Sequence, residues 1–172
     1  MVIWLIGLSG AGKTVIGKAL AGSLRKMGRP VVFIDGDIFR EIMGNDLGHS
    51  IEDRKKNADR ICRFCKYMDQ EGIDVVCSIL SIFHESQEWN GKNINNYFEI
   101  YLDISLDTLR KRDPKGLYKK VFDGEINNVV GVDIPFNPPP NADMVIDNNE
   151  FTDNLEEIVN RIINRLKTKK FM

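Results

Sequence analysis

The sequence predicts an α/β fold built on a parallel sheet, and three observations support that prediction. Five short, largely apolar runs rich in β-branched residues recur along the 172 residues of the chain. Segments with helical patterning separate these runs, and such alternation produces parallel strands with helices on both faces. The first run leads straight into a glycine-rich segment that precedes a predicted helix. We therefore expect three layers, α/β/α, around a five-stranded parallel sheet.

The predicted elements follow one another in regular order. The strands are expected at residues 2–6, 30–34, 73–77, 97–102 and 144–146. The helices are expected at residues 13–27, 51–71, 105–112 and 153–168. Apolar residues recur at helical spacing in the last of these, which predicts a packing face, and Thr152 or Asp153 can cap its start.

Residues 113–142 form one long connection without a predicted strand or helix. The segment is rich in Gly, Lys, Pro and Asn. A connection of this length in a compact domain is usually either functional or disordered. Its aromatic and basic residues argue against disorder, so we predict a mobile lid over a ligand site.

The composition fits one enzyme-sized domain spanning residues 1–172. Hydrophobic residues make up 42% of the chain and charged residues 28%, which excludes the disordered class. The net charge of −1 gives no support for binding to nucleic acid or to a membrane surface. No apolar run approaches the ~20 residues of a membrane helix, and the first strand shows no signal-peptide pattern. We therefore expect a cytoplasmic protein.

The three cysteines do not indicate a disulfide scaffold or a metal site. Cys62 and Cys65 form a C-x-x-C pair, but the pair lies inside a predicted helix and no second Cys/His pair lies nearby. We interpret them as partly buried helix residues.

The segment from Gly7 to Thr14 reads GLSGAGKT and matches the phosphate-binding loop pattern G-x-x-x-x-G-K-[ST]. Its glycines allow backbone N–H groups to turn toward phosphate oxygens, and the helix that follows begins with its positive dipole end at the same place. Lys13 can reach the β and γ phosphates of a nucleotide, and the Thr14 hydroxyl can ligate Mg²⁺. An ordinary glycine-rich turn would need neither residue. The predicted ATP-binding residues of this region are Gly7, Ser9, Gly10, Ala11, Gly12, Lys13, Thr14 and Val15.

A second group of polar residues follows the second predicted strand. Asp35, Gly36 and Asp37 come directly after it, and Arg40 follows within one helical turn. Because the carboxyl ends of parallel strands share one edge of the sheet, we expect Asp35 to face the phosphate loop. A carboxylate there can organise Mg²⁺ or accept a proton from a substrate hydroxyl. Asp-Gly is also a common turn, so this group alone is a weak signal.

Further motifs follow in a fixed order. They are NDLG at residues 45–48, Asp53-Arg54 with Asn57, RDPKGLYKK at residues 112–120, and Gly131-Val132-Asp133-x-Pro135. The ordered set strongly resembles the adenylylsulfate kinase family over nearly the whole chain. Members of that family are P-loop nucleotide kinases that phosphorylate the ribose 3′-hydroxyl of adenosine 5′-phosphosulfate, and many are homodimers. The resemblance implies this fold, ATP and Mg²⁺ as cofactors, a nucleotide acceptor and a homodimer.

The resemblance also implies roles for the matching positions. Lys13, Asp35 and Ser81 would be the catalytic residues, with Asp35 as base or metal-organising carboxylate; whether Ser81 carries a phosphate during turnover stays open. Thr14 and Asp35 would hold Mg²⁺, and Arg112 would contact ATP. Lys115, Lys119 and Lys120 would lie in the lid. The acceptor nucleotide would be held by Asp35, Asp37, Arg40, His49, Arg54, Asn57, Ser81, Ile82, Lys115, Leu117, Lys120 and Val129.

The sequence departs from the family pattern around the acceptor. The family typically has phenylalanines at the positions of His49 and Val129, and these two rings sandwich the acceptor adenine. Losing both faces should weaken adenine binding, since each stack is worth roughly 1–3 kcal/mol. His49 could still stack, or it could be an ordinary surface histidine. The family's Ser-Pro-Tyr/Phe-Arg segment is here Ser81-Ile82-Phe83-His84, and the lost arginine suggests a less anionic acceptor group or a different pose.

The residues predicted to bind ATP, here called the ATP half, keep the family pattern, whereas those predicted to bind the acceptor, the acceptor half, depart from it. This difference favours phosphorylation of another nucleotide. The description resembles the cytidine diphosphoramidate kinases, a branch of the family that acts in making phosphoramidate-decorated surface polysaccharide. The first alternative is an adenylylsulfate kinase of sulfate activation with a divergent pocket. The second is a nucleotide-binding regulatory protein, although a regulator needs no acceptor site. The third, a shikimate- or gluconate-type kinase, would not share residues 115–120.

Overall fold

The computed structural model describes residues 1–113, 116–149 and 154–172, and it contains one five-stranded sheet in which every neighbouring pair is parallel. The strands are β1 (Val2–Ile6), β2 (Val31–Asp35), β3 (Asp74–Ile79), β4 (Tyr97–Asp103) and β5 (Met144–Asp147), in the spatial order β2-β3-β1-β4-β5. The helices are α1 (Lys13–Lys26), α2 (Gly36–Ile42), α3 (Ile51–Gln70), α4 (His84–Asn93), α5 (Leu106–Arg112), α6 (Leu117–Phe122) and α7 (Leu155–Thr168).

Two hydrophobic cores lie on opposite faces of the sheet. The central strand β1 is fully buried because its side chains alternate between them: Ile3 and Leu5 enter the first core, and Val2, Trp4 and Ile6 enter the second. Apolar residues of α1 and α7 complete the first core, while those of α2 and α3 complete the second. This confirms the predicted three-layer α/β/α architecture with a five-stranded parallel sheet.

The structure adds three helices to the predicted set. Two of them, α2 and α6, have seven and six residues, too few for an apolar periodicity to stand out. The third, α4, buries Ser86, Gln87 and Asn90 instead of an apolar stripe, so its sequence lacks the usual signal. The cap of α7 is Asn154, whose side chain accepts from Glu156 N. The predicted caps Thr152 and Asp153 lie outside the described residues.

The segment predicted as a lid is partly core. Tyr118, Val129, Val130 and Ile134 are each less than 9% exposed and belong to the first core. Moving residues 113–142 as one body would expose this apolar surface to water. Any lid motion is therefore confined to the exposed parts of the segment, and the motion itself remains a prediction.

The cysteines are buried, as predicted for the helical pair. Cys62 and Cys65 lie on α3 and face the second core together with Cys77 of β3. Burial is the main cause that raises the pKa of Cys62 to about 12, so this thiol stays protonated and unreactive. Among the described residues, no helix combines the length and apolar character needed to cross a membrane.

Candidate active site

The phosphate-loop motif forms the turn between β1 and α1. Gly10 and Gly12 adopt positive φ angles of 81° and 91°, which residues with a Cβ atom rarely do. A Cβ atom on Gly12 would also lie 3.1 Å from the amide nitrogen of Asn148. Since α1 begins at Lys13, the positive end of its dipole adjoins the loop and favours an anion there.

Lys13 is held against the start of the same loop. Its Nζ donates to the carbonyl oxygens of Gly7 and Leu8 at 2.7 and 2.8 Å. These bonds fix the ammonium beside the loop before any ligand arrives. A phosphate in the loop would therefore meet a positioned positive charge, as phosphoryl transfer requires.

Two distant side chains support the loop from outside. The Tyr118 hydroxyl of α6 donates to the Ser9 carbonyl at 2.8 Å, and Asn148 Nδ2, one residue after β5, donates to the Ala11 carbonyl at 2.9 Å. Sequence reasoning missed both. The only available signals were that Asn148 directly follows a strand at its carboxyl end and that Tyr118 lies inside a family motif.

The two predicted metal-binding residues are in direct contact. Thr14 Oγ1 donates to Asp35 Oδ2 at 2.6 Å. Asp35 is also the N-cap of α2 and accepts from Asp37 N at 3.1 Å through its other oxygen. The cap fixes the carboxylate at the end of β2, so Thr14 and Asp35 meet at the edge of the sheet where the sequence predicted Asp35 to face the phosphate loop.

A divalent cation at this position would depend on few protein ligands. In the described part of the chain, no group of three His, Cys, Asp or Glu side chains is arranged to hold a metal ion. One carboxylate and one hydroxyl remain, from Asp35 and Thr14. Such a sparse oxygen set suits Mg²⁺, which keeps several waters and binds substrate phosphates.

The two predicted acceptor-binding arginines hold the backbone of the loop before α3. Arg40 donates to the Gly48 carbonyl at 2.8 Å. Arg54 Nε donates to the His49 carbonyl at 2.8 Å, and its NH2 group donates to the Asn128 carbonyl at 3.2 Å. Arg54 thereby joins the loop before α3 to the segment that follows α6.

The electrostatics of this region favour an anion. Burial lowers the pKa of Arg54, and the nearby charge of Arg40 lowers it further, while Asp37 and Asp133 act in the opposite direction. An arginine remains charged at neutral pH even so. Within residues 1–113, 116–149 and 154–172, Arg40 and Arg54 donate to neutral carbonyl oxygens, and charge-assisted bonds to a phosphate would be stronger than these.

Asn57 lies one turn after Arg54 on α3 and is 4% exposed. Its Oδ1 atom is buried without a hydrogen-bond partner among the described residues. A buried acceptor without a partner is costly, and each such atom calls for a specific explanation, such as a role in ligand binding. Its predicted contact with the acceptor stays a prediction.

A family model described as adenylylsulphate kinase matches residues 1–147 of the chain. The chain belongs to the adenylylsulphate kinase family. It is therefore a kinase with the P-loop fold predicted above.

Individual relatives of the family agree with this assignment. A cytidine diphosphoramidate kinase of Campylobacter jejuni is 44% identical over 168 residues, which cover 96% of this chain and 95% of the relative. A probable adenylyl-sulfate kinase of Pseudomonas aeruginosa is 39% identical and covers 95% and 76% of the two chains. The solved structure of the Mycobacterium tuberculosis adenylylsulphate kinase in complex with AMPPNP and APS has a TM-score of 0.87, 29% identity and 96% coverage of both chains.

The two positions that lack the family phenylalanines lie in different environments. His49 is exposed in the loop before α3. Val129 is 6% exposed, and its side chain lies in the first core. The Asp133 carboxylate accepts from the N–H groups of Asn128 and Val129, which holds this turn in place. Val129 was predicted to contact the acceptor base; its side chain is packed inward on the first core, and the predicted contact with the base stays a prediction.

Ser81 is buried against the second core, and its predicted catalytic role stays a prediction. It is 6% exposed, with a positive φ of 51°. Its Oγ accepts from the Trp4 indole at 3.0 Å, and Gln87 Nε2 lies 3.3 Å from the same oxygen. A hydroxyl buried behind an indole acts first as a structural partner, which the sequence motif gave no reason to expect.

The remaining predicted residues are distributed around the site. Ile82 is half-buried and packs on the first core, whereas His84 Nε2 lies 3.2 Å from the Asn137 carbonyl. Arg112 donates to the Asn149 carbonyl at 2.9 Å, beside Asn148 at the phosphate loop. Leu117 is half-buried, while Val15, Asp37, Lys119 and Lys120 are exposed. Lys115 lies outside the described residues.

Proposed function

We propose that this kinase transfers the γ-phosphoryl group of ATP to the ribose 3′-hydroxyl of a cytidine diphosphoramidate acceptor. The observation that carries the choice of acceptor is the pair His49 and Val129, which provides no aromatic sandwich for adenine. The 44% identity to a cytidine diphosphoramidate kinase over 96% of the chain supports the same choice. The wider role would be in making phosphoramidate-decorated capsular polysaccharide.

The ATP half would work through the residues that already contact one another. The loop N–H groups and Lys13 would bind the phosphates, and Thr14 with Asp35 would hold Mg²⁺. When bound, Mg²⁺ neutralises charge on the β and γ phosphates. Asp35 would accept the proton of the 3′-hydroxyl. The hydroxyl oxygen then bonds to the γ phosphorus, while the bond between the γ phosphorus and the ADP oxygen breaks.

The acceptor half would bind the diphosphoramidate through Arg40 and Arg54. A terminal P–NH₂ group carries N–H donors, whereas a sulfate offers only acceptors. Arginine has no acceptor, so the arginine that the family places at the position of His84 suits a sulfate. A neutral histidine, or the Asn137 carbonyl beside it, can accept from an amide instead. This difference in donors, rather than a difference in charge, supports the phosphoramidate.

The alternative is an adenylylsulfate kinase that makes 3′-phosphoadenylylsulfate. The adenylyl-sulfate kinase relatives at 34–39% identity favour it. A non-catalytic regulatory protein agrees poorly with membership of a kinase family. The predicted homodimer stays a proposal, and light scattering of the purified protein would test it.

The deciding experiment is ATP turnover with Mg²⁺ and matched acceptors. We expect kcat/KM for cytidine diphosphoramidate to exceed that for adenosine 5′-phosphosulfate by about 10-fold or more, the value of one lost stack. Plain CDP and AMP serve as controls, and a 3′-deoxy acceptor should give no product while the 2′-deoxy acceptor does. Preference for the phosphosulfate would return the protein to sulfate activation, and ATP use without any acceptor dependence would contradict both.

A further inference from the structure

We infer that Tyr118 is a positioning residue for the phosphate loop and that it links α6 mechanically to that loop. The inference rests on the proposed use of ATP by the loop, although part of its test does not. Tyr118 has no role in the sequence prediction. Its hydroxyl reaches the Ser9 carbonyl across 109 residues of sequence.

The bond to Ser9 orients a neighbouring donor. A trans peptide unit is planar, so its C=O and the following N–H point in opposite directions. With the Ser9 carbonyl fixed on Tyr118, the Gly10 N–H must point away from α6. In phosphate loops the backbone N–H groups are the phosphate ligands. Tyr118 therefore fixes the direction of one donor, and Asn148 acts in the same way on Ala11 and the N–H of Gly12.

The helix that carries Tyr118 is itself tied down at its start. Gly116 precedes α6 with a positive φ of 62°. The carboxylate of Asp113 accepts from Tyr118 N at 3.1 Å and from Lys119 N at 2.9 Å. Tyr118 is thus anchored by its backbone to α5 and by its hydroxyl to the loop.

Helices α5 and α6 together carry the positive charges that the resemblance places over the phosphates. Arg110 of α5 lies 4.2 Å from the ring of Phe122 at the end of α6, which joins the two helices by a cation–π contact. Arg112 stands at the end of α5, and Lys119 and Lys120 are exposed on α6. Because Tyr118 is 1% exposed, a movement of α6 must either break its bond to Ser9 or shift the loop.

The hydroxyl donates to Ser9 and stays protonated. Burial, and then the charge of Asp113, raises the pKa of Tyr118 to about 12. It remains protonated throughout the neutral range and takes no part in proton transfer. Its contribution is therefore geometric, and replacing it with Phe would remove one hydrogen bond while keeping the ring in the core.

The test compares Tyr118→Phe with the wild-type protein, using Tyr67→Phe as the matched control because Tyr67 is exposed on α3. With Mg²⁺ and ATP, the KM for ATP and the Kd for AMPPNP should rise about 3- to 10-fold, as loss of one hydrogen bond predicts. The acceptor KM should stay unchanged and the melting temperature should fall little. A change confined to thermal stability, with ATP affinity retained, would overturn the inference.

A second measurement needs no nucleotide. In the ligand-free protein, Tyr118→Phe should shift the amide resonance of Gly10 and speed hydrogen exchange of the α6 amides at least about 3-fold, while Tyr67→Phe changes neither. Unchanged Gly10 and α6 signals would refute the link. If the wild-type protein failed to bind AMPPNP, the proposed function would fall, yet the ligand-free comparison would still decide the role of Tyr118.

Discussion

The ATP half and the acceptor half of the site are built in different ways. The ATP half is one contiguous segment, Gly7–Thr14, braced by Asp35, Tyr118 and Asn148. The proposed acceptor half is gathered from side chains between Asp37 and Val129, and its two arginines donate to backbone carbonyls of the surrounding loops. The backbone of a short motif fixes the positions of its own residues, whereas residues far apart in the sequence are positioned by the packing around each of them. The first half is therefore suited to a constant ligand and the second to a variable one.

The largest effect is expected when the positive charge of Lys13 is removed from the ATP half. Lys13→Ala should lower kcat by about 10³-fold, since the charge developing on the transferred group loses its positioned partner. Lys18→Ala, an exposed lysine one turn further along α1, is the matched control. The measurement is ADP release with saturating acceptor. Retained activity in Lys13→Ala would contradict the phosphate-loop assignment.

The next effect separates chemistry from binding within the same half. Asp35→Asn should lower kcat by about 10²- to 10³-fold, because an amide neither accepts the proton nor balances the metal charge. The Kd for ATP should change far less, since the loop and Lys13 are untouched. Single-turnover rates beside calorimetric ATP binding would show the split. An unchanged rate would remove Asp35 from the reaction.

A smaller effect tests the acceptor half. His49→Phe restores one face of the adenine stack and should raise kcat/KM for adenosine 5′-phosphosulfate by about 10-fold, with ATP kinetics unchanged. Val129→Phe is a poorer companion than the sequence suggests. Its side chain is buried in the first core, where added volume costs about 1–3 kcal/mol.

The outcome of the His49 experiment sharpens the contrast between the halves. His49→Phe should therefore be assayed before the double variant His49→Phe with Val129→Phe. Thermal unfolding is the control for the effect of Val129→Phe on stability. No gain for the phosphosulfate in His49→Phe would mean that the acceptor is selected elsewhere in the site.

The smallest expected effect concerns Ser81. Ser81→Ala leaves the Trp4 indole without its acceptor, and we expect a loss of about 1–2 kcal/mol in the free energy of unfolding with kcat within about 3-fold of wild type. Urea unfolding and initial rates measure the two quantities. A loss of turnover far beyond the loss of stability would support a phosphoserine, contrary to the buried position of this hydroxyl.

Short-range rules govern the geometry of the phosphate loop, so the sequence could place its residues, while their roles in binding ATP and Mg²⁺ stay predictions. The loop pattern places Lys13 and Thr14 next to one another in the chain, and parallel-strand topology puts Asp35 at the same edge of the sheet. The contact of 2.6 Å between Thr14 and Asp35 agrees with that reasoning. The acceptor residues were proposed from motifs, and a motif does not indicate which of its side chains point into the core.

The sequence by itself therefore determined the alternation of strands and helices, the phosphate loop and the family. Tertiary structure alone decided that Ser81 and Val129 point into the protein, that the arginines hold loop carbonyls, and that Tyr118 and Asn148 brace the loop. The physical reason is the range of the interactions. Glycine conformation and apolar periodicity act within a few residues, whereas burial and hydrogen-bond pairing depend on partners brought from as far as 137 residues away.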